Sequence, residues 1–144
     1  MGIFDKFKNP RKKDYETIAK NMCATAIDYA KDFDKEFDFS KSSITDLEEV
    51  LDFYSTDIPA SRPTENQLWS MSIIFGSYLG ETLLRNGLRN KGYVWTVEGS
   101  SDIPLLIGKD GNYITPIDKV YKRLVNGQAD SVISFFRFAI DQFQ

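Results

Sequence analysis

Glu81 interrupts a very apolar helix, directly after the most apolar stretch of the chain, Leu68 to Gly80, and a carboxylate in such a setting is the first residue that could do chemistry. Arg85 stands four residues on, in the favourable acid-before-base order on a helix, so a structural ion pair is the plain expectation. The sharper one is a functional carboxylate, since perturbed acids gather at working sites. Glu98 and Asp102 are the acids expected to converge with it, both near a loop between strands. Such a set would suit a small-molecule or carbohydrate-processing site, because glycoside hydrolysis needs two carboxyl groups at a fixed separation. Trp95 lies mid-strand beside them, more a core residue than a binding surface.

Other chemistries fall away by composition. The chain has no histidine, which removes the commonest general base and the commonest metal ligand together. One cysteine, Cys23, excludes thiolate zinc sites and intrachain disulfides, and its place on an apolar helix face reads as a small buried hydrophobe. Asp32-Phe33-Asp34-Lys35-Glu36 has the opening spacing of a calcium loop, but Phe37 stands where glycine is needed and Ser43 where the bidentate Glu is needed. No glycine-rich loop has phosphate-cradling spacing. No cofactor and no metal are therefore expected, and with no activated nucleophile in view the chain reads as non-catalytic.

Charge points to a protein partner. Residues 1–13 carry five basic side chains against Asp5, whereas ten carboxylates fall between Asp28 and Asp57 against three lysines. An acidic body argues against nucleic-acid binding. Asp46, Glu49 and Asp52, spaced by three on one helix, are the candidate contact residues, and an immunity or antitoxin-like protein that blocks a basic domain is the specific expectation. Arg85, Arg89, Lys91, Lys119, Lys122 and Arg123 form a candidate basic patch whose default reading is a solvated face. The start of the chain lacks a secretory signal, and no run approaches the ~20 apolar residues that cross a bilayer, so a cytoplasmic protein is expected. Residues 1–13 read as a basic flexible tail, with Ile3, Phe4 and Phe7 offering weak contact to a membrane surface. A homodimer is compatible with the composition.

The elements that must position these residues follow from periodicity. Ile18, Met22, Ala26, Ala30 and Phe33 mark one buried face of a first helix from about Asp14. A second helix starts near Ser43–Thr45, where Thr45-x-x-Glu48 fits a capping box, with Pro59 and Pro63 bracketing the loop after it. Thr64-x-x-Gln67 opens a third, apolar all round and therefore central, whose Gly76 and Gly80 imply close approach of another backbone. Tyr93, Trp95 and Val97 then alternate, Ile103 to Ile107 and Tyr113-Ile114 follow, and Lys109-Asp110-Gly111-Asn112 makes a hairpin turn. Pro116 starts a fourth helix that Asn126-Gly127 stops, and Asp130 caps a fifth. The expected fold is α+β: helices followed by a three-stranded antiparallel meander and two C-terminal helices, one domain over residues 14–144.

Gly76-Ser77-Tyr78-Leu79-Gly80-Glu81, the strand at Trp95, Ile117-Asp118-Lys119-Val120-Tyr121-Lys122-Arg123-Leu124, Asn126-Gly127 and Asp130-Ser131 stand in a suggestive order. Over about residues 64–138 the chain resembles a family of small bacterial domains of unknown function, family 3806 of that series. The resemblance implies a bacterial protein of α+β fold with Glu81 and the Lys122-Arg123 segment near the sheet, and it implies no activity.

Overall fold

The computed structural model describes residues 14–143, so the basic stretch 1–13 lies outside the described residues. Helices α1 (Tyr15–Lys31), α2 (Ser43–Ser61) and α3 (Glu65–Leu83) come first. Strands β1 (Val94–Thr96), β2 (Leu105–Ile107) and β3 (Tyr113–Ile114) form an antiparallel sheet in that order. Helices α4 (Pro116–Asn126) and α5 (Val132–Phe143) complete an α+β fold of the expected element order.

Helix α3 is the axis of the molecule. Thr64 and Gln67 close the expected capping box, with Thr64 Oγ1 accepting from the Gln67 N–H at 3.1 Å and Gln67 Oε1 accepting from the Thr64 N–H at 2.8 Å. Every residue from Ser72 to Leu84 is buried, as an all-round apolar helix requires. The hydroxyls of Ser72 and Thr82 donate to carbonyls one turn back, at 2.7 and 2.8 Å, which lets them sit in the core. A Cβ on Gly76 would lie 2.5 Å from Ile117 Cα, so α4 crosses against bare backbone there. At Gly80 the close neighbour is the Trp95 indole rather than a backbone, 2.3 Å from a notional Cβ. Helix α1 also packs on α3, and its buried residues include the small Ala19, Cys23, Ala26 and Ala30.

The helix ends where the Asn-Gly pair stands. A π turn over Leu84–Leu88 contains Gly87 at φ 143°, a value that favours glycine, and a 3-10 turn over Arg89–Lys91 leads to Gly92 at φ 83°. The sheet then presents alternating faces. Trp95, Leu106 and Ile114 pair across it as the buried row, while Val94, Ile107 and Tyr113 form the outer row.

Three local expectations are corrected. Helix α2 begins at Ser43, so Thr45 lies inside its first turn and caps nothing, and Glu48 is engaged elsewhere. Pro59 sits inside the last turn of α2 rather than in a loop; its missing N–H forfeits one intrahelical bond, and the helix stops at Arg62 in the left-handed region. Ser131, not Asp130, caps α5: its Oγ accepts from the N–H groups of Ile133 and Ser134 at 3.2 and 3.4 Å, and Asp130 turns to Lys119 and Asn126.

Candidate functional site

The helical spacing of α2 places Asp46, Glu49 and Asp52 along one outer face, and the fold supplies two cations to hold them. Lys35, from the loop after α1, stands 2.5 Å from Glu49 and 3.7 Å from Asp46. Arg123 of α4, whose side chain is 0% exposed, donates through Nη2 to Asp52 at 2.7 Å and through Nε to Glu48. The second oxygen of Glu48 accepts from the Ser131 hydroxyl at 2.7 Å and from the Val132 N–H at 2.8 Å. One carboxylate thus binds α4 and caps α5 from a third helix, where the positive end of the helix dipole favours it. Burial opposes ionisation of Glu48, yet the hydrogen bonds from Arg123 and Ser131 outweigh it and hold its carboxyl below the usual range. Asp52 is held low by the hydrogen bonds of Arg123 and Gln128. Glu48, Glu49, Asp52, Arg123, Gln128 and Ser131 line an open polar pocket of about 400 Å³.

Glu48, expected in a capping box, and Arg123, expected in a basic patch, are instead the centre of this cluster. Both carried a signal, because each lies among the apolar stripe of its helix: Glu48 between Leu47 and Val50–Leu51, Arg123 between Val120 and Leu124. The expected basic patch dissolves accordingly. Arg123 is buried against α2, Lys119 pairs with Asp130 at 3.1 Å, Lys122 with Asp118 at 3.2 Å, and Arg89 with Glu16 at 2.6 Å.

Glu81 is 0% exposed and does not pair with Arg85. The Trp95 indole Nε1–H donates to its Oε2 at 2.9 Å, and Arg89 approaches Oε1 no closer than 3.9 Å. Arg85 lies instead over the Phe39 ring, 3.6 Å from its centroid, a stack that a guanidinium makes well. Phe39 is fixed there by its N–H, which donates to the Tyr78 hydroxyl at 2.8 Å, and by its carbonyl, which accepts from Asn86 Nδ2 at 2.9 Å. Glu98 and Asp102 are exposed in the β1–β2 connection, whereas Glu81 is sealed beneath the Trp95 indole. Trp95 itself is core, 6% exposed. Burial, and then the charge of Glu81, push the Cys23 thiol far above its ordinary range, so it is an inert buried thiol.

What the structure joins, then, is the acidic face of α2 with two cations, and Glu81 with Trp95. Among the described residues no group of His, Cys, Asp or Glu is placed to hold a metal ion, and no helix is long and apolar enough to cross a membrane. Comparison of the sequence with protein-family models, with curated proteins and with solved structures gives no match.

Proposed function

We propose that this chain is a non-catalytic, cytoplasmic protein-binding module that presents the acidic face of α2 to a basic protein surface. The observation that carries this reading is the way Lys35 and Arg123 fix Asp46, Glu49 and Asp52 while leaving the Glu49 side chain 57% and that of Asp52 44% exposed. Four carboxylates (Asp46, Glu48, Glu49, Asp52) against two cations leave two negative charges on a rigid helix. Side chains already held in place lose little rotamer freedom on binding, and a fixed charged face steers a partner of opposite sign. An inhibitor that occludes a basic domain, as immunity proteins and antitoxins do, is the specific form of the proposal. The resemblance to bacterial domains of unknown function belongs with it and adds no activity.

The test is a pull-down of the tagged chain from its native host with mass spectrometry, beside an Asp46→Lys/Glu49→Lys variant. Asp52 is left intact because its loss would unseat Arg123. The expected result is one stoichiometric partner with a basic surface, lost in the variant while circular dichroism is unchanged. A partner retained by the variant, or no stoichiometric partner for the wild-type chain, overturns the reading.

A further inference from the structure

A different opening lies about two turns further along α2. The last turns of α2, the segment at Pro63 and the first turns of α3 enclose a groove of about 450 Å³, within the size range of small-molecule sites. Its floor is apolar, made by Ile58, Leu68, Met71, Ile74 and Leu124. Leu68 and Ile74 belong to the core cluster itself, so the groove reaches the interior of the fold. Two phenol rings stand at it, Tyr29 from α1 and Tyr54 from α2, each backed by Phe75 at centroid distances of 6.2 and 6.0 Å.

The charge of this groove has one sign. Asp57 is the single charged residue in its lining, its carboxylate is exposed, and it makes no ion pair among the described residues. That contrasts with the same helix's Asp46 and Glu49, which share Lys35, and with Asp52, which pairs with Arg123. Asp32 adds to the same field: burial first, then Tyr29 and Asp32, hold the Tyr54 hydroxyl above its ordinary range. No lysine or arginine lines the groove to offset Asp57.

We propose that this groove binds a small amphiphilic monocation, an aliphatic ammonium whose chain lies on Leu68, Met71, Ile74 and Leu124 and whose charge sits by Asp57, Tyr29 and Tyr54. An apolar tail gains from leaving water over such a floor. A cation beside a carboxylate and electron-rich rings gains from both, whereas an anion would meet the uncompensated charge of Asp57. The proposal is independent of the α2 protein-binding face, since none of Asp46, Glu49 or Asp52 lines this groove.

The experiment is calorimetric titration of the full chain with octyltrimethylammonium, octyl sulfate and octyl glucoside, each below its micellar concentration. Saturable binding of the ammonium at one site per chain is expected, about tenfold tighter than either of the others. Asp57→Asn is expected to weaken the ammonium by about threefold to tenfold and to leave octyl glucoside unchanged. Because the Asp57 side chain is exposed, that variant keeps the fold, which thermal unfolding checks. Met71→Lys, which puts a cation at the floor, is expected to abolish ammonium binding. Equal binding of sulfate and ammonium, no saturable ammonium binding, or an Asp57→Asn variant that binds as wild type each overturn the proposal.

Discussion

Among the described residues Arg123 is the largest side chain that the fold buries completely, and it is a cation. A lone buried charge would be prohibitive, so its presence is explained by what it touches: Glu48 on one nitrogen and Asp52 on another. Removing one member of such a cluster strands the rest. Arg123→Met is therefore expected to cost about 3 kcal/mol, at the lower end for broken buried pairs because Asp52 is partly solvated. Urea unfolding at neutral pH measures it, and a loss below about 1 kcal/mol would show the cluster to be a surface ornament. Glu81 follows the same logic with a neutral donor on one oxygen and Arg89 3.9 Å from the other. The Trp95 indole answers one of its oxygens, and the two residues lie fourteen positions apart in sequence. Arg85, one helical turn away, was the partner that local spacing offered; the guanidinium found an aromatic face at Phe39 instead.

At the scale of elements, α3 is seated by what it lacks. Gly76 lets the first turn of α4 press against the helix backbone, and Gly80 leaves room for the Trp95 ring. Gly76→Ala would set a Cβ 2.5 Å from Ile117 Cα, a backbone atom that cannot swing aside. Although alanine favours the helix by about 1 kcal/mol, overpacking is expected to win and to destabilise by about 2 kcal/mol net. Thermal unfolding of the variant decides the sign, and a raised midpoint would mean that α4 shifts freely. This seat was legible in the sequence, since paired glycines one turn apart inside an apolar run announce a close approach. So were the meander, the Thr64 capping box and the stop at Asn126-Gly127, all of them local signals. The sequence was silent where the partner came from afar. Glu48 spaced three from Thr45 looked like half of a local box, yet its hydrogen bonds run to residues more than seventy positions away. Pro59 read as a breaker because nothing nearby says that the last turn of a helix tolerates it.

For the molecule as a whole, the carboxyls of Glu48, Asp52 and Asp130 tie α2, α4 and α5 into one acid-sensitive unit. Each is held below the usual range: Glu48 by Arg123 and Ser131 against the cost of burial, Asp52 by Arg123 and Gln128, Asp130 by Asn126 and Lys119. A group whose folded value is depressed contributes stability that is complete above its unfolded value, about 4, and is lost as pH falls through the folded one. Stability is thus expected to be level from about pH 7 to pH 5 and to fall below about pH 4. Urea midpoints across that range check this, and the fall should be shallower in Glu48→Gln, which starts lower at neutral pH. Amide exchange adds the location: protons at Val132 and Ile133, which Glu48 caps, are expected to lose protection first in acid.

The two tryptophans stand at opposite poles of the central helix. Trp69, near its start, stacks on Tyr121 with centroids 4.1 Å apart, and Trp95 donates to Glu81 near its end. One indole is coupled to a phenol, the other to a carboxylate in a dry setting, so their emission spectra and lifetimes differ. Loosening at either pole changes one signal and spares the other. The unlabelled protein therefore carries a two-channel optical record of which end of its axis opens first.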